Sequence, residues 1–184
     1  MGVSLFLKVS NPRIWPQVTS GFSRSTERRR RLHFLETQVR EAQPQLSPDG
    51  RYIAYVSNES GKDQIVVRTF PDSNQGQWPI TVAGGIEPRW RRKDGRELYY
   101  LAPDGKVMVV AISGGPAFVP GAPMELFPAP PLFSDAGPLR NRYDVDDDGQ
   151  RFIFAALFAA SPNSSVSAPI TAVINWPRVL DKKP

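Results

Sequence analysis

The stretch QLSPDGRYIAYVS, residues 45–57, places an Asp-Gly pair between two apolar segments. Aspartate tolerates left-handed backbone and bonds to its own turn, and glycine takes a positive φ without strain. Asp-Gly between apolar runs is therefore a strong signal for a β-hairpin. The residues that follow the glycine are rich in β-branched and aromatic side chains, which favours a strand.

The same arrangement occurs twice more along the chain. RWRRKDGRELYYLA occupies residues 89–102, and YDVDDDGQRFIFAA occupies residues 143–156. The three turn glycines, Gly50, Gly95 and Gly149, are separated by 45 and 54 residues. A repeat period in this range is typical of stacked structural units such as the blades of a β-propeller.

The apolar runs of the three units, YIAYV, VMVVAI and FIFAALF, do not alternate with polar residues. Continuous apolar runs are typical of sheets that are covered on both faces, as propeller blades are. We therefore predict an all-β fold, a partial β-propeller of about three four-stranded antiparallel blades that form an open arc. The alternative, a flat two-sheet sandwich, does not explain why the Asp-Gly turn recurs in every unit.

Turn and strand signals give approximate bounds for each blade. Blade 1 covers residues 43–85, blade 2 residues 86–128 and blade 3 residues 141–177. The third blade lacks a fourth predicted strand. The predicted strands, in chain order, are 43–46, 51–57, 63–69, 77–81, 87–91, 96–101, 106–112, 123–127, 142–145, 150–157 and 169–176.

Residues 1–31 differ from the rest of the chain in charge. They carry seven of the 23 basic residues and one acidic residue, whereas the remaining segment has a net charge of −1. Pro12, Pro16 and Gly21 interrupt any regular element, so we predict an irregular basic leader whose removal leaves the blades folded. Its four arginines, Arg28–Arg31, could bind phosphate or anionic lipid, but a solvated tail is favoured, and we expect no nucleic-acid partner.

Hydropathy and the start of the chain predict no membrane insertion. No apolar stretch approaches the roughly 20 residues that a membrane span needs, and the first residues fit neither an export signal nor a myristoylation site. The sequence has no cysteine. This excludes disulfides, thiolate metal sites and cysteine nucleophiles.

The third turn, DVDDDG, matches the first half of a calcium-binding loop, in which Asp144, Asp146 and Asp148 would be ligands. The twelfth position of such a loop needs a bidentate carboxylate. Counting from Asp144, that position is Ala155, and the neighbouring apolar residues favour a strand over the exiting helix. We therefore interpret the segment as the third copy of the repeated turn and predict neither a metal site nor a cofactor.

Several enzyme classes are excluded by missing motifs. The chain has no G-x-G-x-x-G, H-R-D or D-F-G motif, which a protein kinase needs to hold ATP and magnesium, and no G-x-S-x-G nucleophile elbow. His33 is the only histidine. A lone histidine is more often structural than catalytic, because a catalytic base needs a positioned nucleophile and an orienting group. We predict that the chain is not an enzyme.

Candidate binding residues follow from the repeat. Gln45, Arg89 and Asp144 occupy equivalent positions on the three innermost predicted strands. Innermost strands line the central channel of a propeller, so we predict that these residues form a row that faces the channel and binds a ligand.

Two further features each have two interpretations. Trp90, Tyr99 and Tyr100 could form an aromatic binding platform, but large aromatic side chains at strand spacing favour a core between blades. The basic cluster RWRRK, residues 89–93, could meet an acidic partner, whereas a solvated charged turn is favoured.

The segment QPQLSPDGRYIAYVSNESG, residues 43–61, resembles the repeats of TolB-type, WD-like β-propellers. GGIEPRWRRKDGRELYYLAPDGKVM and PITAVINW, residues 84–108 and 169–176, carry a second resemblance. They are similar to the C-terminal propeller region of bacterial proteins that join a serine/threonine kinase domain to a propeller. The second resemblance covers residues 32–177.

The resemblance implies a scaffold for protein interaction or ligand sensing. The alternative is the sensor or regulatory part of a kinase polypeptide whose catalytic domain is absent here. Leu32–Thr37 would be the outermost strand of a preceding blade, which we prefer to a helix that begins near Ser25. Propellers of this kind have more blades, so we expect a fragment of a longer, periplasmic or extracytoplasmic protein. Its partners would be a protein or the missing blades, and uncovered end blades predict self-association.

Overall fold

The computed structural model describes residues 3–7, 32–113, 117–131, 141–155 and 170–173, and for 3–7, 32–36 and 170–173 it describes the backbone alone. Within these ranges every regular element is a β-strand, and the strands form separate antiparallel sheets. Nothing in the described ranges forms a helix with the length and apolarity that crossing a bilayer requires.

A two-stranded sheet precedes the blades. Strand β1, Val3–Leu7, pairs antiparallel with β2, Leu32–Thr37. The strand that we preferred at Leu32–Thr37 is confirmed, but β1 shows that residues 1–31 are not irregular throughout. VSLFL forms a strand because it is largely apolar, and the predicted breakers all follow it. The remaining residues of that segment, Arg28–Arg31 among them, lie outside the described ranges.

Blade 1 is a four-stranded antiparallel meander. Its strands follow one another in chain order: β3, Glu41–Leu46; β4, Tyr52–Ser57; β5, Gln64–Thr69; and β6, Gln77–Pro79. The predicted strands of this blade are confirmed to within a few residues.

Blade 2 repeats this arrangement. Its strands are β7, Ile86–Trp90; β8, Glu97–Leu101; β9, Lys106–Ser113; and β10, Val119–Pro128, again paired antiparallel in chain order. Strand β10 begins earlier than the predicted 123–127, because its pairing with β9 continues as far as Val119 and Ser113.

Blade 3 has three strands within the described ranges. They are β11, Tyr143–Val145; β12, Phe152–Ala155; and β13, Ile170–Val173. Strand β12 pairs with both of the others. Residues 174–184 lie outside the description, so the absence of a fourth strand stays a prediction.

The repeated turns have the predicted conformation. Gly50, Gly95 and Gly149 have φ values of 71°, 67° and 77°. In each turn the carboxylate of the aspartate before the glycine accepts a hydrogen bond from the backbone N–H two residues further on, at 3.0–3.1 Å. This bond stabilises the tight reversal that leads into the second strand of each blade.

The three blades stack face to face. In β8, Leu98 and Tyr100 belong to the cluster shared with blade 1, whereas Tyr99 and Leu101 belong to the cluster shared with blade 3. All four are at most 4% exposed. Both faces of the middle blade are therefore buried, as its continuous apolar run predicted. Successive four-stranded meanders stacked in this way, with their innermost strands adjacent, form a partial β-propeller.

The aromatic residues singled out in the sequence lie in this core. Trp90 is 5% exposed, and Tyr99 and Tyr100 are at most 4% exposed. Trp90 packs at 6.4 Å, edge to face, against Phe118 from the connection between β9 and β10. The interpretation as a core between blades is confirmed.

The two ends of the stack differ. On the outer face of blade 1, Ile53 and Tyr55 are at most 1% exposed, and β1 lies close to β3. The expectation that this face is uncovered is wrong, because it assumed that no ordered element precedes the blade. At the other end β12 alternates, with Phe152 and Phe154 buried and Ile153 46% exposed.

Candidate functional site

The innermost strands β3, β7 and β11 lie side by side and carry the predicted row of Gln45, Arg89 and Asp144. Arg89 and Asp144 meet across the boundary between blades 2 and 3, with 3.6 Å between Arg89 Nε and Asp144 Oδ1. Gln45 is linked to the next blade through its backbone, because its carbonyl oxygen accepts a hydrogen bond from Trp90 Nε1 at 3.0 Å. The Gln45 side chain has no such link to the other two.

Arg89 is integrated into the stack and is only 6% exposed. Its Nη1 donates to the carbonyl oxygen of Pro88 at 2.8 Å, and its guanidinium lies 5.5 Å from the ring centroid of Tyr143. The Tyr143 hydroxyl donates to the carbonyl oxygen of Glu87 at 2.9 Å, and burial raises its pKa. A ligand can therefore reach little of Arg89.

Asp144 is the accessible member of the row, with 45% of its side chain exposed. Its Oδ2 accepts a hydrogen bond from Arg92 Nη2 at 2.6 Å, and its Oδ1 accepts one from the backbone of Val145 at 2.9 Å. Arg92 and Arg91 of the basic cluster are thus paired with carboxylates, since Arg91 binds Asp94 at 2.7 and 2.8 Å. This cluster is largely neutralised by neighbouring acids.

A second row, two residues before the first in each blade, joins the blades directly. The backbone N–H of Glu87 donates to Gln43 Oε1 at 2.8 Å, and the backbone N–H of Arg142 donates to Glu87 Oε2 at 2.6 Å. In each case the side chain of one blade accepts from the backbone of the equivalent residue in the next. We call Gln43, Glu87 and Arg142 the relay.

The relay depends on an unusual backbone conformation. Gln43 and Glu87 have φ values of 53° and 58° and lie where the pairing of the inner strand shifts register. Positive φ is uncommon outside glycine and marks a local constraint. In blade 3 the pairing of β11 with β12 is regular, and Arg142 has no positive φ.

Blade 3 also ends the relay chemically. Glu87 is 1% exposed, and its buried carboxylate receives a second hydrogen bond from Arg142 Nε at 2.5 Å. This pairing offsets the cost of burying the charge. A guanidinium has donors only, so Arg142 cannot accept from a further blade as Gln43 and Glu87 do.

Sequence reasoning missed the relay, although a signal was present. Each member is a polar residue at the same repeat position, immediately upstream of the predicted row. Residue type alone does not predict the positive φ, because neither glutamine nor glutamate favours it.

The acidic turn of blade 3 is occupied by its own hydrogen bonds. The carboxylate of Asp146 accepts from the backbone of Gln150 and Arg151 and from Arg151 Nε, at 2.6–3.1 Å. Among the described residues no group of three or more histidine, aspartate or glutamate side chains is arranged to hold a metal ion. The side chain of His33 lies outside the description.

Glu41, at the start of β3, is a buried acid outside both rows. It is 7% exposed, and its Oε1 accepts a hydrogen bond from Ser57 at 3.3 Å. Its Oε2 has no hydrogen-bond partner among the described residues. Burial disfavours the carboxylate and raises the pKa of Glu41 to about 7.

Comparison with known proteins gives similarity to solved structures. No family model matches the chain, and no curated protein matches it. Among solved structures, the chain is similar to TolB from Acinetobacter baumannii, with 14% sequence identity and a TM-score of 0.37. The similarity covers 79% of this chain and 46% of the TolB chain, so this chain spans less than half the length of that protein.

Proposed function

We propose that the chain is a non-enzymatic β-propeller scaffold that binds protein through the outer face of blade 3. The observation that carries this proposal is a difference in burial between equivalent positions. Ala54 and Tyr99, in the second strands of blades 1 and 2, face the following blade and are at most 1% exposed. Ile153 occupies the same position in blade 3 and is 46% exposed.

An exposed apolar residue on a stacking face favours association. In blades 1 and 2 this face is covered by the next blade, and burial of apolar surface is the main favourable contribution to such contacts. The occupant would be a protein partner, further blades of the same polypeptide or a second copy of the chain. The binding chemistry would be apolar contact flanked by the paired charges of Arg92 and Asp144.

Sedimentation velocity at micromolar concentration tests this proposal without a known partner. We expect dimers or larger species for the natural chain and mostly monomer for Ile153→Asp, because a charge on the face would have to be desolvated on association. Val82→Asp is the matched control, since Val82 is 82% exposed but lies outside the stacking faces. A monomeric natural chain, or equal association of both variants, would contradict self-association through this face.

The alternative function, the sensor or regulatory part of a kinase polypeptide, has no specific support among the described residues. It predicts an in-frame kinase domain upstream of the coding sequence. Reading that upstream sequence would decide between an independent scaffold and a part of a kinase.

A further inference from the structure

A groove of about 250 Å³ lies between blades 1 and 2, and neither the predicted row nor the relay contributes to its lining. One wall is the Asp-Gly turn of blade 1, and the opposite wall is the equivalent turn of blade 2. The two turns touch, because a Cβ added at Gly95 would lie 3.2 Å from Pro48 Cδ. The groove is therefore a product of blade stacking.

Aromatic rings line the interior of the groove. Tyr52 and Phe118 have ring centroids 4.8 Å apart, and Phe118 also packs at 4.7 Å against Trp78 and at 6.4 Å against Trp90. Tyr52, Trp90 and Phe118 contribute to the lining. Trp90 and Phe118 are only 5% and 6% exposed, so a flat apolar group would pack mainly against the part-buried ring of Tyr52.

Among the charged groups at the rim, Arg96 acts on Asp94 only through its charge, which helps to lower the pKa of that carboxyl group. Asp94 is held by two hydrogen bonds from Arg91, which lower the pKa of its carboxyl group. Asp49 accepts from Ser47 and from the backbone of Arg51. The Arg96 guanidinium is exposed and, within the described part of the chain, makes no hydrogen bond or ion pair.

The second arginine of the rim extends the aromatic surface. The guanidinium of Arg51 lies 5.1 Å from the ring centroid of Tyr52, and its Nη2 donates to the Tyr52 hydroxyl at 2.8 Å. A stacked guanidinium presents a flat face and a positive charge to the groove. Arg51 Nε also lies 3.8 Å from Asp49 Oδ2. The acids of the rim are thus engaged within their own turns, and the exposed Arg96 guanidinium is the donor offered to a ligand.

We propose that this groove binds an aromatic carboxylate, with the ring against Tyr52 and Phe118 and the carboxylate on Arg96. Guanidinium groups match carboxylates in geometry and bind them through strong, charge-assisted hydrogen bonds. The groove is smaller than the roughly 300–1,000 Å³ of pockets that hold drug-sized ligands, so it accommodates one ring and its acid group. A free aromatic acid and the C-terminal aromatic residue of a peptide share this chemistry.

The probe for the test is phenylacetate, titrated into the full chain and followed by the indole N–H resonance of Trp90. We expect a saturable shift that weakens with salt. Acetate, which lacks the ring, and benzyl alcohol, which lacks the charge, should each bind at least about tenfold more weakly, because each loses one of the two contacts. No shift at millimolar phenylacetate, or equal shifts with acetate, would overturn the proposal.

Variants locate the site. Arg96→Gln removes an exposed, unpaired charge, so it should fold normally and weaken phenylacetate binding about tenfold, the loss of one charge-assisted hydrogen bond. Arg96→Lys should retain part of the affinity. Lys62→Gln, a change of exposed charge in another turn of blade 1, is the control and should bind as the natural chain does. Equal affinity of Arg96→Gln and Lys62→Gln would overturn the assignment to this groove.

A second titration distinguishes the two sources of the ligand. A short peptide that ends in phenylalanine should shift the same Trp90 indole resonance, whether the natural ligand is a chain terminus or a free acid. Tighter binding than phenylacetate would assign the groove to a chain terminus, and weaker binding would assign it to a free aromatic acid. If Arg96→Gln loses binding of both phenylacetate and the peptide, the proposal is supported. If the variant still binds both ligands, the proposal is contradicted. The groove is independent of blade 3, so its test does not depend on self-association.

Discussion

Glu41 makes the stability of the fold depend on pH. Its carboxyl group has a folded-state pKa of about 7 against an ordinary value of 4.5, because burial disfavours the charged form. Between these two values the folded state binds more protons than the unfolded state. The contribution is therefore fully present below pH 4.5 and is lost as the pH rises toward 7.

We expect Glu41→Gln to flatten this dependence. Through this group, the natural chain should lose at most about 3 kcal/mol of unfolding free energy between these pH values. The glutamine variant should not lose this contribution, because its amide cannot ionise. Denaturant unfolding at several pH values measures the difference. Glu125→Gln, at an exposed acid paired with Lys106, is the control. Parallel pH profiles for the natural chain and Glu41→Gln would show that the pKa of this carboxyl group is the same in the folded and unfolded states.

Gly149 is constrained by its neighbour as well as by its backbone. It has a φ of 77°, and an added Cβ would lie 2.0 Å from the hydroxyl oxygen of Tyr99, which is 1% exposed. Gly105 has a similar φ of 81° but open space around its missing Cβ. The two positions therefore separate backbone strain from steric overlap.

Gly105→Val should cost about 1–2 kcal/mol from strain alone. Gly149→Val should cost about 1–3 kcal/mol more, because blade 2 must move to admit the side chain. Thermal or denaturant unfolding gives both values. Equal costs at the two positions would mean that the third turn does not pack on Tyr99.

At the scale of the strand, the relay predicts that one backbone amide loses its protection from hydrogen exchange when its acceptor is removed. Gln43→Leu removes the acceptor of the Glu87 backbone N–H and leaves that buried donor unpaired, at a cost of about 1–3 kcal/mol. Gln43→Glu retains a side-chain oxygen at the same position. Amide hydrogen exchange should therefore be faster at Glu87 in the leucine variant than in the glutamate variant. Identical exchange rates would show that the bond contributes nothing.

The strands themselves were largely predictable from sequence, and the reason is visible in single residues. Gly50, Gly95 and Gly149 mark the reversals. The apolar runs after Gly50 and Gly95 form strands buried on both faces, whereas the run after Gly149 forms a strand that exposes Ile153. Strand β1 was missed because a run of five residues carries little periodic signal. The aromatic core followed from side-chain size and spacing.

The candidate site was less predictable, because its geometry depends on contacts between blades. Arg89 and Asp144 were placed correctly on inner strands, yet the burial of Arg89 depends on Tyr143, which lies 54 residues further on. The groove likewise combines Tyr52 with Arg96 from another blade. Sequence periodicity places residues along a strand and gives no information about which blade they will meet.

At the scale of the whole molecule, β1 changes the expected effect of a truncation. A chain that begins at residue 8 lacks the strand that pairs with β2 and lies close to β3. Unpaired strand edges are unfavourable, so we expect a lower melting temperature and broader melting than in the full chain. A chain that begins at residue 32 should behave like the one that begins at residue 8. Unchanged melting of both would show that blade 1 is stable without β1.

The relay also limits how such a molecule could grow by gene duplication. A second copy of blade 2, inserted after the first, would bring another Glu87. Its carboxylate would accept a backbone hydrogen bond from the blade after it, and its own N–H would donate to the side chain in the blade before it. An inserted copy of blade 3 would bring a second Arg142, and its N–H would face a guanidinium that cannot accept. Duplication of blade 2 would therefore keep the backbone hydrogen bonds of the relay, although the first Glu87 would lose the guanidinium that offsets its buried charge, whereas duplication of blade 3 would break them.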